Sequence, residues 1–326
     1  MTKSILPKKI LYWYDNNKRS LPWRKKLSQV KKEYYTLVSE FMLQQTQVVT
    51  VVPYFNNFIK DIPDINSLAK INEQKLLKYW EGLGYYSRVR NLKKTAQILE
   101  TYFKGRLPST IEELKLLPGI GEYTANAIMA IGFNKPFIPL DGNIERVIKR
   151  LLNLKLISEI SKENLISKKY ILGTSVRASD YAQALMELGA LICRPKSPIC
   201  SQCPLTRNCK SFKNNDFEII KERKKKINKF YLLNVYKKNN KFLLIKNTKF
   251  NFLKNLKIFP MDEISKHNNV KKNLNFKISN MNMNIIIQFS KIKRSISNSS
   301  WIDSTKLDSY TLPTFTKKIF NYLEKD

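Results

Sequence analysis

The stretch Leu117-Pro118-Gly119-Ile120-Gly121-Glu122-Tyr123-Thr124-Ala125 decides how this chain is read, because it sets two glycines in a tight turn between helical patterns. Glycine lets backbone come close to another group, and a helix N-terminus carries N–H groups with no partner inside the helix. Such a turn can offer backbone donors to a phosphate, a grip on nucleic acid that reads no base. Taken alone, the same pattern also fits a plain helix–helix connection. Twenty residues beyond Gly121 stands Leu140-Asp141-Gly142-Asn143, at the start of a helix predicted over 144–152. Asp141 fits an N-cap there, and equally an anion held at a helix entrance facing the hairpin.

Outward from this centre, residues 1 to about 212 read as helical. Apolar residues recur at helical spacing, as in Tyr34-Leu37-Val38-Phe41 and Leu114-Leu117, and Pro53, Pro63, Pro108 and Pro118 punctuate them. No strand is predicted in this part. Residues 213–229 are polar, contain Arg223-Lys224-Lys225-Lys226, and read as a basic linker. Beyond it, 230–236 and 241–245 flank Lys237-Lys238-Asn239-Asn240 as a predicted hairpin, 285–289 reads as a strand and 316–323 as a helix. A second, α+β domain is therefore expected over 230–326.

All four cysteines of the chain, Cys193, Cys200, Cys203 and Cys209, fall within seventeen residues as C-x6-C-x2-C-x5-C. The one histidine, His267, is far away in sequence, so the thiolates serve alone, as in tetrathiolate zinc or a [4Fe–4S] cluster. Zinc ribbons pair two close knuckles, whereas this spacing has one C-x2-C between longer arms, which favours iron–sulfur. Disulfides are disfavoured by the expected reducing compartment, the N-terminus having no signal-peptide pattern.

Composition sets the partner class. The formal charge of +33 makes a polyanion such as nucleic acid the natural partner, although only 12 of the 59 basic residues are arginine and the lysine excess looks like a genome-wide bias. Ten of those arginines precede residue 210. No apolar run reaches the ~20 residues that span a bilayer, so a soluble protein is expected; a membrane surface is the alternative partner for the charge, but no basic amphipathic anchor stands out and no membrane partner is expected.

The hairpin, the following aspartate and the downstream cysteine loop together resemble the helix–hairpin–helix, Gly/Pro-Asp superfamily of base-excision DNA glycosylases, in its iron–sulfur branch. Val38-Ser39-Glu40-Phe41-Met42-Leu43-Gln44-Gln45-Thr46-Gln47, Gly82-Leu83-Gly84-Tyr85-Tyr86 and Leu21-Pro22-Trp23-Arg24 are similar to the adenine DNA glycosylase (MutY) family over residues 10 to 212. The resemblance implies a mainly α fold: a two-lobed helical glycosylase domain with a [4Fe–4S] cluster loop (1–212, loop 193–209), then a smaller α+β Nudix-like domain. Endonuclease III-like members form a Schiff base from a lysine at the position of Tyr123, so the resemblance implies a monofunctional enzyme here.

Hydrolysis of an adenine N-glycosidic bond needs a proton for the purine and an anion beside the oxocarbenium-like sugar, the same demand that glycoside hydrolases meet with paired carboxylates. Glu40, among Leu37, Val38, Phe41 and Leu43, is expected to hold its proton near neutrality and deliver it to N7. Asp141, better solvated or capping its helix, is expected to stay ionised and stabilise the sugar cation electrostatically or by transient covalency, and the resemblance implies that Tyr123 assists there. It further implies that Gln45 and Tyr85 wedge into the base stack beside Leu43 and Gln44, that Gln183 reads the flipped adenine, and that Arg24, Gly119 and Gly121 contact substrate or DNA. Arg194, Lys196, Arg207 and Lys210 in the cluster loop suggest phosphate contacts.

In this family the C-terminal domain reads 8-oxoguanine through an F-S-H loop. The nearest stretch here is Ile278-Ser279-Asn280, where only Ser279 survives as a candidate contact, and 251–260 keeps only the outline of a second reader loop. No spaced-glutamate Nudix box is present. The expected partner is duplex DNA with adenine opposite 8-oxoguanine or guanine, bound by a monomer in a bacterial, nucleoid-associated cytoplasmic setting. Competing readings are a thymine-mismatch glycosylase, against which Glu40 and Gln183 argue, and a DNA-binding module without turnover, against which Glu40, Asp141 and Tyr123 argue.

Overall fold

The computed structural model describes residues 5–156, 161–218, 226–265, 273–278, 280–291 and 296–324. It divides into two units, Met1–Ile71 with Ser87–Glu222, and Asn72–Tyr86 with Arg223–Asp326.

The first unit is helical, with no strand among its described residues. Its helices are α1 (Leu6–Asn17), α2 (Gln29–Leu43), α3 (Val48–Asp61) and α4 (Ile65–Lys70); after α5 (Glu73–Tyr79), which belongs to the second unit, come α6 (Ser87–Tyr102), α7 (Ile111–Leu116), α8 (Glu122–Ala127), α9 (Gly142–Leu152), α10 (Lys162–Lys168), α11 (Ala178–Glu187) and α12 (Lys210–Lys213). α2 packs on α3, α6 and α8, burying Tyr34, Leu37, Val38, Phe41 and Met42, each contributing about 1.5–3 kcal/mol through lost apolar exposure. A separate core joins α1, α9 and α11 through Ile10, Tyr14, Ile144, Ile148 and Leu185, with Cys193, Cys203 and Cys209 packed at its edge.

Pro53 was expected to punctuate helices, yet it lies inside α3. Its ring faces solvent, so water can satisfy the carbonyl it frees. Local capping sets other helix starts: Asp64 accepts from Ser67 N at 2.8 Å, and Thr110 Oγ1 accepts from Glu113 N at 3.4 Å while donating to Glu113 Oε2 at 2.6 Å. The expected linker is docked at its beginning, where Phe217 O accepts from Arg150 and Asp216 pairs with Lys155 at 2.7 Å. Residues 219–225 lie outside the described residues.

The second unit is α+β. Strands β1 (Ile227–Val235), β2 (Lys237–Lys238), β3 (Lys241–Lys246), β4 (Lys257–Ile258), β5 (Met261–Ile264), β6 (Asn273–Ile278), β7 (Met281–Phe289) and β8 (Ser299–Asp303) form two sheets, ordered β5-β1-β7-β6 and β2-β3-β4 with β8 on β3. Helix α13 (Thr314–Leu323) sets Phe315, Ile319 and Phe320 into their core. The predicted hairpin is corrected here: Lys237 and Lys238 pair back onto β3 and Tyr236 O accepts from Leu243 N at 3.0 Å, while β1 runs parallel to β7 and antiparallel to β5. The reason is burial, since Tyr231, Leu233 and Val235 alternate into the core of a central strand that needs partners on both edges. His267 and Ser279 lie outside the described residues.

Candidate active site

The hairpin joins α7 to α8, but its two glycines do different work. Gly119 has φ +82°, and a Cβ there would sit 2.8 Å from Phe41 Cε1 and 3.0 Å from Asn91 Cβ. Only glycine fits that conformation and that space. Gly121 is ordinary extended backbone with open space around it, so the turn itself does not require a glycine there. The turn is pinned by Thr95 Oγ1, which donates to Pro118 O at 2.9 Å.

Behind the hairpin, two carboxylates and a phenol come together. Glu40, on α2, is 4% exposed, and Tyr123, in the first turn of α8, donates its hydroxyl to Glu40 Oε2 at 2.8 Å. Burial pushes the Glu40 carboxyl up to about 7; the Tyr123 bond opposes this, the Asp141 charge adds to it and Arg24 lowers it. Burial and the two neighbouring carboxylates hold the Tyr123 phenol well above its usual range.

Asp141 caps α9, accepting from Ile144 N at 2.7 Å, Asn143 N at 3.0 Å and Asn143 Nδ2 at 2.8 Å. Of the two expected settings, better solvated or capping its helix, the structure shows the cap; burial raises the Asp141 pKa, with the three donors and Arg146 pulling the other way. Asn143 in turn is bonded by Arg146, whose guanidinium also donates to Gly189 O at 2.7 Å and Cys193 O at 2.6 Å. Gly189 is needed because a Cβ would lie 2.6 Å from Asn143 Cβ.

The other expected contacts fall in several places. Leu43 and Gln44 are half-buried at the end of α2, and Gln44 Nε2 reaches Gly119 O and Thr124 Oγ1, each at 3.5 Å. Gln45 is exposed with φ +59°, and Tyr85, in the second unit, is exposed with φ +48°. Left-handed backbone at a residue other than glycine costs about 1–3 kcal/mol and concentrates at working sites. Gln183 is 7% exposed on α11 and donates its amide to Ser179 O at 3.1 Å.

Arg24 is not free to meet a ligand with its whole guanidinium, because Nη1 lies 2.8 Å from Oε1 of the fully buried Glu187, which Arg19 also grips with two 2.8 Å bonds. Sequence reading missed Glu187 and Arg19. A signal was present: Glu187 stands one helical turn after Gln183, directly behind the apolar run Ala184-Leu185-Met186 of α11.

The four cysteines line one cavity together with Arg150, Ile192, Thr206 and Phe217. Cys193 is placed by a π-helical turn over Leu188–Ile192, its N–H reaching Leu188 O at 2.8 Å. Arg150 is 3% exposed, approaches Cys193 Sγ at 3.5 Å and holds Arg194 O and Pro195 O. Burial raises the thiols of Cys200 and Cys209 and pushes Cys203 up to about 11. Among the described residues no three His, Cys, Asp or Glu side chains close on a single ion. Arg194, Lys196, Arg207 and Lys210 are exposed on the loop. No described helix is long and apolar enough to cross a membrane.

A buried acid, a capped aspartate and a glycine hairpin on one helical scaffold define the class as a helix–hairpin–helix base-excision DNA glycosylase. Residues 38–170 match the HhH-GPD superfamily of base excision DNA repair proteins. The helical fold is shared with a thermostable thymine-DNA glycosylase (TM-score 0.58, 25% identity, 64% of this chain and 96% of that one). It is shared too with endonuclease III in a trapped covalent complex with DNA (TM-score 0.53, 20% identity, 66% and 99%). The adenine DNA glycosylase of Buchnera aphidicola subsp. Baizongia pistaciae is 36% identical over 350 aligned positions, covering 100% of this chain and 98% of its own. The human adenine DNA glycosylase is 39% identical over 209 positions, covering 62% of this chain and 38% of its own. The chain belongs to the adenine DNA glycosylase family and is a DNA-binding glycosylase of base excision repair.

Proposed function

We propose that this glycosylase is monofunctional and hydrolyses the N-glycosidic bond of adenine paired with 8-oxoguanine or guanine in duplex DNA. The observation that carries the reading is the buried Glu40 carboxyl, raised to about 7 and within 2.8 Å of the Tyr123 hydroxyl. Of the two coupled carboxylates, Asp141 has three N–H donors and Glu40 one O–H, so the shared site places its proton on Glu40 and its charge on Asp141. Glu40 then gives that proton to adenine N7 as the bond lengthens, and Asp141 faces the positive charge growing on the sugar; a water adds to C1′ and returns a proton to Glu40, leaving free adenine and an abasic sugar. Tyr123 orients Glu40 and, lacking an amine, forms no Schiff base.

In the same reading, Gln45 and Tyr85 enter the stack vacated by adenine, with Leu43 and Gln44 beside them. Gln183 presents an amide to the adenine edge, as amides do to adenine, Arg24 lies beside it through Glu187, and the hairpin N–H groups at Gly119 and Gly121 take a phosphate. The C-terminal unit would be a Nudix-like reader of the opposite base, Ser279 included, with reduced preference for 8-oxoguanine over guanine. The division into 1–212, 213–229 and 230–326 goes with this reading, as do a monomer and a bacterial cytoplasmic, nucleoid-associated setting.

Cys193, Cys200, Cys203 and Cys209 would hold a [4Fe–4S] cluster. The donor set fits: four thiols line one cavity without closing on one ion, and the buried Arg150 guanidinium offsets the negative charge that four thiolates bring. A bound cluster supplies a cross-link for the basic loop and no step of hydrolysis. Iron and sulfide content near four each per chain is the expected result, and one tightly bound zinc would replace the cluster in this account.

The substrate claim is tested by single-turnover release from duplexes carrying adenine opposite 8-oxoguanine, guanine or thymine, and thymine opposite guanine. Adenine release opposite 8-oxoguanine and guanine, with no borohydride-trapped adduct, is expected. Release of thymine alone would assign the scaffold to the other base.

A further inference from the structure

We propose that Arg88 is the positioning residue for base extrusion: it holds Gln45 in its exposed, left-handed conformation so that the side chain can enter the duplex. This rests on the reading of Gln45 given above. Arg88 is 6% exposed in the first turn of α6. Its Nη1 donates to Phe41 O at 3.1 Å, to Met42 O at 2.9 Å and to Gln44 O, and its Nη2 donates to Thr46 Oγ1 at 3.2 Å. Thr46 closes the turn by donating to Gln44 O at 3.4 Å, while its N–H reaches Leu43 O at 3.2 Å.

One buried guanidinium thus grips the residues on both sides of Gln45 and leaves Gln45 itself ungripped and exposed. The carbonyls of Phe41 and Met42 are among those that a helix leaves unsatisfied at its C-terminus, and Gln44 is the C-cap itself. A cation there also meets the negative end of the α2 dipole. The same charge is misplaced with respect to its own helix, since a positive group at the start of α6 opposes that dipole, and α6 has no acidic residue in its first turn to offset it. Arg88 therefore serves the turn after α2 at the expense of α6. A guanidinium suits the task because it offers several donors in a fixed planar fork, where an ammonium offers a point charge.

The test compares wild type with Arg88→Lys, Arg88→Met and Thr46→Val, the last removing one anchor without touching the charge. Extrusion is read by 2-aminopurine fluorescence in place of the target adenine, release is read under single-turnover conditions, and folding by thermal melting. Loss of extrusion and a fall in adenine release of about tenfold to a hundredfold are expected in Arg88→Lys, with its fold kept and the pH at which release declines unchanged. A smaller loss of the same kind is expected in Thr46→Val. Wild-type extrusion in folded Arg88→Lys and Thr46→Val would overturn the proposal, as would losses that only track melting temperature. If wild type itself neither extrudes nor releases adenine, the adenine reading fails instead.

Discussion

The phenol of Tyr123 donates to Oε2 of Glu40 at 2.8 Å, tying the start of α8 to the inner face of α2. The bond favours the ionised carboxylate and so pulls the Glu40 pKa below where burial alone would put it. Tyr123→Phe removes that pull. If Glu40 is the acid, adenine release is expected to decline in wild type as pH rises through about 7. In Tyr123→Phe the decline is expected at higher pH, whatever happens to the plateau rate. A single-turnover pH profile of both proteins checks the direction, and an unchanged or lowered midpoint contradicts it.

Glu40 costs stability in order to hold its proton. Its folded pKa of about 7 lies above the ordinary 4.5, so the folded state is favoured while the unfolded carboxyl is also protonated and loses that advantage as pH rises from about 4.5 through 7. Glu40→Gln escapes the penalty. It is expected to be more stable than wild type at pH 8 by up to about 3 kcal/mol, with the gain shrinking toward pH 4.5. Urea melts at both pH values read this directly, and a variant less stable at pH 8 would speak against a strained carboxyl.

The two hairpin glycines should respond differently to a methyl group. Gly119→Ala combines a left-handed backbone with a clash on Phe41 and should cost about 2–5 kcal/mol. Gly121→Ala meets nothing within 4 Å and should stay within about 0.5 kcal/mol of wild type. Any loss of DNA affinity in the second variant then reports on phosphate approach and not on folding.

Gly189→Ala reaches the chemistry from outside the site. Its Cβ would press on Asn143 backbone and side chain, and Asn143 bonds Asp141, so α9 must move its first turn. A shift of about 1 Å in a reacting group can cost about a hundredfold in rate. Release should therefore fall far more than binding to the same duplex. An equal fall in both would place the damage elsewhere.

Much of the site was legible because it is local. The apolar neighbours of Glu40 within one turn of α2 bury it, and Asp141 caps the helix that starts one residue later. What was not legible depends on partners distant in the chain. Glu187 is buried only because Arg19 and Arg24 arrive from the N-terminus, and Arg88 matters only because α6 brings it under the end of α2. The cap at Asp141 was legible, but the burial that raises its pKa was not, because nothing near it in the chain shows that packing. The pairing of β1 was misread for the same reason, its partner β7 lying some fifty residues on.

The most direct test is single-turnover adenine release from a duplex with adenine opposite 8-oxoguanine, in wild type and Glu40→Gln side by side. Release by wild type at neutral pH is expected, with a fall of about a hundredfold to ten-thousandfold in the variant and DNA binding kept. A variant that releases adenine as fast as wild type would contradict the assignment of Glu40 as the acid.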